Sequence, residues 1–226
     1  MGEMISYPAN GTPGQGYLAT PASGTGPAVV VIQEWWGLVD HIKDVCDRFA
    51  AEGFVALAPD LYHGRSTTEP DEAQKEMMAM TMPKASKDIS AAIDAISERS
   101  GSDKVAVIGF CMGGGLALVA ACDRPDKVAA VVPFYGAIPW PDARPDYSRM
   151  RAAMQGHYAT EDAFAGPEVA RALEAELRSL GKRAEVFIYP STQHAFFNDT
   201  RPDVYDADAS ARAWASTLAF LRSEVG

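Results

Sequence analysis

A thiol, two neighbouring carboxylates and a histidine stand in this chain in an order that could make a nucleophile with its own base. Cys111 is the centre of Gly109-Phe110-Cys111-Met112-Gly113, the spacing of a nucleophile elbow with a thiol where serine is usual. Glu161 and Asp162 come later, and His194 comes last, within Ser191-Thr192-Gln193-His194-Ala195-Phe196. In such a set the histidine activates the thiol and later protonates the leaving group, while a carboxylate fixes its tautomer and supports its cation. Either Asp162 or Glu161 could be that carboxylate; the spacing to Phe164 favours Asp162. Upstream, Glu34-Trp35-Trp36 offers a further carboxylate and two indoles. The other histidines read first as structural. His41 opens a helix, His157 lies inside or at the end of a strand, and His63 could line a pocket.

These side chains need elements that bring them together. Residues 105–108 form an apolar, β-branched run that reads as a buried strand, broken at 109–113 and resumed as a helix over 116–122. The turn is so sharp that a side chain at Gly109 or Gly113 would collide with neighbouring backbone, and Cys111 itself would sit in strained φ/ψ space. Its sulfur would stand at a helix N-terminus, where N–H groups and the dipole favour an anion. Along the rest of the chain, 4–7 and 16–20 read as edge strands of a short antiparallel start, and 28–32, 54–58, 128–133, 150–157 and 184–189 as further strands. Helices are expected over 40–52, 69–80, 84–98, 167–180 and 206–224, with Pro83 separating the third from the second, and loops over 62–70 and 137–145. The alternation predicts a doubly wound, mostly parallel sheet with helices on both faces. Ligands of such sheets meet the loops at the carboxyl ends of the strands. Cys111, Asp162, His194 and Glu34 all fall there, and the order nucleophile, acid, histidine is that of α/β-hydrolases.

Composition narrows the function class. The chain has 226 residues, 47% hydrophobic and 22% charged, which suits one soluble α/β domain spanning 1–226. Its 20 basic and 30 acidic residues give a net charge of -10, dispersed rather than blocked, which argues against nucleic-acid or anionic-membrane partners. No apolar run reaches transmembrane length, and the start lacks the pattern of a signal peptide. Cys46, Cys111 and Cys122 form no C-x-x-C pair and no even framework, so disulfides and metal are not expected, and Cys46 and Cys122 read as buried helix thiols in a reducing cytoplasm.

Gln33-Glu34-Trp35-Trp36-Gly37, Pro59-Asp60-Leu61-Tyr62, Gly109-Phe110-Cys111-Met112-Gly113-Gly114, Phe134-Tyr135-Gly136, a late Asp162-Ala163-Phe164 and His194-Ala195-Phe196 together resemble the dienelactone hydrolase family, in matching order from about Ala28 to the end. The resemblance implies an α/β-hydrolase fold without a separate cap domain, and a cofactor-free, metal-free hydrolase of a small ester or lactone. It implies a Cys111–Asp162–His194 triad, an oxyanion held by the backbone N–H groups of Trp35 and Met112, and a Glu34 that contacts the resting thiol. Trp36, Tyr62, Tyr135 and Phe196 fall where the family lines its pocket. The family's arginines for a substrate carboxylate are missing: Asn198 stands four residues after His194, where one is expected, Arg201 is shifted by three, and no arginine lies between Arg65 and Arg99, Lys75 being a poor stand-in. A more neutral ester or lactone is therefore expected. A general carboxylesterase or thioesterase on the same triad, and a redox-responsive or ligand-binding protein with a reactive Cys111, are the alternatives. The expected assembly is a monomer or small homo-oligomer.

Overall fold

A computed structural model describes residues 2–9, 11, 13–140 and 143–226. Eight strands form one sheet: β1 (Glu3–Tyr7), β2 (Gly14–Ala19), β3 (Ala28–Ile32), β4 (Val55–Pro59), β5 (Val105–Phe110), β6 (Val128–Phe134), β7 (Ala153–Glu161) and β8 (Ala184–Gln193). Their order is β1-β2-β4-β3-β5-β6-β7-β8. The β1–β2 and β2–β4 pairs are antiparallel, and from β4 across to β8 every pair is parallel. The helices between them are α1 (Asp40–Ala51), α2 (Pro70–Ala79), α3 (Met82–Ser100), α4 (Met112–Asp123), α5 (Pro167–Ser179) and α6 (Ala207–Val225).

The inner strands are apolar on both faces because both faces are covered. Val30 and Ile32 of β3 and Val107 of β5 pack with α3, α4 and α5 on one side. Val29, Val31 and Ile108 pack with Ile42, Val45 and Phe49 of α1 and with Leu218 and Leu221 of α6 on the other. The sheet thus has its carboxyl ends, and the loops that follow them, gathered at one rim. Among the described residues no helix is long and apolar enough to cross a membrane.

Several boundaries differ from those read off the sequence. β7 starts at Ala153 rather than 150, and it runs to Glu161 because its ladder with β8 continues past the apolar run, pairing His157 with Phe187 and Glu161 with Gln193. Tyr158 to Glu161 are therefore strand, not loop, and β8 likewise reaches Gln193. α4 begins at Met112, four residues early. Pro83 does not separate α2 from α3; it is the second residue of α3, where its missing N–H has no intrahelical partner to lose. Within the expected loop over 137–145, residues 141 and 142 lie outside the described residues.

Candidate active site

The turn from β5 into α4 is dictated by backbone crowding. A Cβ on Gly109 would lie 1.9 Å from the Gly113 carbonyl oxygen, and one on Gly113 would lie 2.4 Å from that of Gln33. Only glycine at both positions lets α4 start directly on the ends of β3 and β5. Between them Cys111 adopts φ 55°, ψ -120°, a conformation that costs on the order of 1–3 kcal/mol and persists only where the surroundings impose it. Cys111 is partly exposed at the N-cap of α4. Met112 is the first residue of α4, and among the described residues neither its N–H nor that of Trp35 donates a backbone hydrogen bond in a turn, loop or cap.

His194 follows β8 and Asp162 follows β7, adjacent strands in the sheet. His194 Nδ1 lies 2.7 Å from Asp162 Oδ2. The other carboxylate oxygen, Oδ1, accepts the N–H groups of Phe164 at 2.8 Å and Ala165 at 2.9 Å. With Nδ1 committed to Asp162, Nε2 is the nitrogen left for Cys111. Glu161 is exposed and pairs with Gln193 in the ladder, so the carboxylate on His194 is that of Asp162. Burial works against a charged imidazole at His194, but the Asp162 carboxylate and the Cys111 sulfur outweigh it and push its pKa up to about 10. Burial also opposes ionisation of Asp162, yet the His194 contact and the two backbone N–H groups hold its carboxyl below the usual range. Phe164 packs edge-on against the His194 ring at 5.7 Å, and Tyr135 does so at 5.0 Å.

Glu34, at the end of β3, is 1% exposed. It makes no hydrogen bond to Cys111. Its Oε1 accepts the Tyr135 hydroxyl at 3.4 Å, and its Oε2 accepts Asn198 Nδ2 at 2.9 Å. Tyr135 reaches it from a positive φ of 38° just beyond β6; burial first, then the Glu34 charge, raises its phenol well above 10.0, so the hydroxyl stays a donor. Of the expected pocket residues, Tyr62 is buried with its hydroxyl on Met112 Sδ at 3.7 Å, Tyr135 and Phe196 are buried edge to face at 5.6 Å in the core on the other side of the sheet, and Trp36 is partly exposed and lines a groove. That groove, of about 680 Å³, is also bounded by His41, Thr67, Asn198, Thr200 and Arg201, and Cys111, Asp162 and His194 do not line it. Its charged side chains pair off, Lys43 on Asp40 at 3.0 Å and Arg201 on Asp203 at 3.4 Å.

The remaining histidines stand apart. His157 is fully buried between the Tyr189 hydroxyl and the Thr217 hydroxyl, at 2.9 Å and 3.0 Å, and burial pushes its pKa down to about 3. His41, second residue of α1, packs edge-on against Phe110 and Phe197. His63 pairs with Asp88 at 3.2 Å and does not line the groove. Cys46 and Cys122 are buried in α1 and α4. Among the described residues no group of three or more His, Cys, Asp or Glu is arranged to hold a metal. Two contacts of the site were not read from the sequence: Asn198, singled out there only for the arginine it replaces, bonds to Glu34, and Phe164, singled out there for its spacing to Asp162, packs on the His194 ring.

The model of the dienelactone hydrolase family matches residues 15–225. The chain is 39% identical to Protein usf of Aquifex pyrophilus over 98% of both chains. It is 34% identical to a protein of Aquifex aeolicus assigned as a carboxymethylenebutenolidase, over 99% of both. A crystal structure from Klebsiella pneumoniae, assigned as a dienelactone hydrolase, superposes with a TM-score of 0.88 at 26% identity and 98% coverage of both chains. With that match across nearly its whole length, on an eight-stranded sheet bearing this elbow, the chain belongs to the dienelactone hydrolase family of α/β-hydrolases.

Proposed function

We propose that this carboxylic ester hydrolase cleaves small, neutral esters or lactones through a Cys111 acyl-enzyme, with His194 as base and acid and Asp162 as its orienter. The observation that carries the reading is the 2.7 Å contact between His194 Nδ1 and Asp162 Oδ2, which leaves the other ring nitrogen to the strained cysteine of the elbow. His194 takes the Cys111 thiol proton, and the thiolate attacks the carbonyl carbon, forming a C–S bond as the carbonyl electrons move onto oxygen. The N–H groups of Met112 and Trp35 receive that oxyanion. Its collapse breaks the C–O bond, and the His194 imidazolium protonates the departing alkoxide. His194 then takes a proton from water; the hydroxide attacks the thioester, the thiolate leaves, and the carboxylic acid is released. The side chains and backbone donors named here balance every proton and electron pair of the cycle.

Neutrality of the substrate is supported by Asn198 in place of a cation next to Glu34. The test is rapid quenching of a short p-nitrophenyl ester reaction followed by intact-mass measurement. An acyl adduct on Cys111, absent from Cys111→Ala, is expected; steady turnover by Cys111→Ala would overturn the mechanism. Comparing kcat/KM for a neutral lactone, an acyl thioester and dienelactone tests the substrate class, with the neutral lactone expected to lead.

A further inference from the structure

The loop between β4 and α2, residues 60–69, touches both residues whose N–H groups receive the oxyanion in the proposed mechanism. At its start the Leu61 N–H donates to Gln33 Oε1 at 3.2 Å, and the Tyr62 hydroxyl meets Met112 Sδ at 3.7 Å. Toward its end the Thr67 N–H donates to the Trp36 carbonyl at 3.0 Å, and Ser66 forms an antiparallel bridge with Gly37. The approach at Gly37 is close. With φ at 93°, a Cβ there would lie 2.6 Å from the Arg65 carbonyl oxygen. Trp35 is therefore held on both sides, at Gln33 and at Trp36-Gly37, and the same loop braces Met112.

Between these contacts the chain turns through two positive φ angles, 53° at His63 and 90° at Gly64. Glycine adopts such a φ freely, whereas at histidine it is strained and persists only where the surroundings impose it. From inside, Asp60 Oδ1 accepts the Tyr62 N–H at 3.1 Å and its Oδ2 accepts the Gly64 N–H at 2.5 Å. From outside, His63 Nε2 lies 3.2 Å from Asp88 Oδ2 on α3, and Arg65 Nη2 lies 2.9 Å from Glu76 Oε2 on α2. The two outer ties are unequal. Arg65 is 65% exposed, so water screens its pair. The Asp88 side chain is only 20% exposed, and burial is the largest influence on its carboxyl, raising its pKa against the pull of His63 and Lys84. Its Oδ2 is buried, and among the described residues His63 is the one cation within ion-pair distance of it. A carboxylate so placed depends on that imidazole.

We propose that His63 and Asp88 are positioning residues for the oxyanion donors at Trp35 and Met112. Their pair holds His63 at its positive φ, and that one backbone angle decides whether Tyr62 and Thr67 can meet Met112 and Trp36 together. Without the pair, His63 relaxes to negative φ and residues 66 and 67 draw away from Trp36-Gly37. Oxyanion donors act on charge that exists only in the transition state, so misplacing them costs kcat and spares substrate binding. The ion pairs of His63 and Asp88 are with each other, and those of His194 and Asp162 are likewise mutual. Breaking the first pair therefore leaves the base and its orienter in place.

The inference rests on the Cys111 acyl-enzyme, and the experiment separates the two. Wild type, Asp88→Ala, Asp88→Asn, His63→Asn and the double variant His63→Asn/Asp88→Ala are compared as full chains. For each, kcat and KM are measured on a short p-nitrophenyl ester, beside inhibition by a small trifluoromethyl ketone, whose adduct with the thiol places an oxyanion on the same donors. Iodoacetamide alkylation of Cys111, read by intact mass, reports on the thiol alone. Asparagine tolerates positive φ, so His63→Asn removes the ion pair without adding strain. Asp88→Ala and His63→Asn are each expected to lower kcat about tenfold and to weaken the ketone by the same factor, with KM and alkylation within about twofold. The double variant falls no further than the single ones, because one interaction is lost in all three. Asp88→Asn keeps an acceptor for Nε2 and loses less than about threefold. Wild-type kcat and ketone inhibition in folded Asp88→Ala overturn the proposal, since a merely structural pair lowers Tm and leaves both alone. So do additive losses in the double variant, or alkylation that slows in step with kcat. His63 is exposed, so His63→Asn decides the matter if Asp88→Ala fails to fold. Wild-type turnover with no acyl adduct on Cys111 overturns the acyl-enzyme reading, and this inference with it.

Discussion

The two ends of α4 each carry a cysteine, and the pair forms a controlled contrast within one helix. Cys111 caps the N-terminus, where free N–H groups and the positive end of the dipole favour an anion. It is partly exposed, strained and next to an imidazole whose charge it helps to raise. Cys122 sits in the last turn, 1% exposed among apolar side chains. Burial first, then the Asp123 and Asp146 charges, pushes its thiol up to about 12. Chemically identical groups thus sit in opposite surroundings, set by burial, backbone conformation and helix polarity, and none of these is a property of cysteine itself.

The sharpest way to break this contrast is to delete the exposed sulfur. Cys111→Ala is expected to lower ester turnover at least about a thousandfold with the fold intact, measured as kcat/KM beside a circular dichroism spectrum; residual activity within about tenfold of wild type would remove Cys111 from the chemistry. Gly113→Ala attacks the strain rather than the sulfur. Its Cβ meets two carbonyl oxygens, of Gln33 at 2.4 Å and Ile32 at 2.6 Å, neither of which can swing away. A loss of more than about 3 kcal/mol in urea unfolding is expected, and a loss below about 1 kcal/mol would mean the elbow is not held by this crowding.

Removing the orienter sharpens the same contrast from the histidine side. Asp162→Asn is expected to cost about a hundredfold in kcat through the wrong imidazole tautomer. Its stability deficit has a defined pH window. Asp162 has its pKa lowered from 3.8, so it stabilises the fold above that value and the contribution is lost as pH falls through the lower folded value. His194 is raised from 6.5 to about 10, so its contribution is complete below 6.5 and lost as pH rises toward 10. The gap between wild type and Asp162→Asn should therefore be widest between pH 3.8 and 6.5 and close toward both extremes. A gap that does not vary with pH would show that the 2.7 Å contact is not an ion pair.

How much of this was legible in the sequence depended on range. The elbow was, because Gly109 and Gly113 constrain backbone only a few residues away, and so was the alternation that makes β3 and β5 inner strands. The start of α4 was not. Three glycines in its first turn argue against helix on propensity, yet packing requires them, as Gly113 shows. The length of β7 was hidden for a related reason: Thr160 and Glu161 look like loop, and only the ladder with β8 keeps them extended. Hardest to read was Asn198. Its partner Glu34 is 164 positions away, and no local pattern encodes which carboxylate a buried amide will meet.

The smallest expected effect is the most discriminating for the contrast between the helix ends. Cys122→Ala removes one buried sulfur from the apolar layer between α3, α4 and the sheet. The cavity it leaves is small, and a cost of about 1–2 kcal/mol in unfolding free energy is expected. Turnover should stay within about twofold, because a helix with its first turn wedged between the Gln33 carbonyl and the loop after β6 cannot easily pass a gap in its last turn back to Cys111. Native alkylation, read by mass, should lose nothing either, since Cys122 reacts only after unfolding. A roughly tenfold fall in kcat/KM with unchanged Tm would show the opposite. It would mean that α4 shifts as a rigid rod and that the nucleophile's position is set from its far end, so that the two cysteines belong to one mechanical unit.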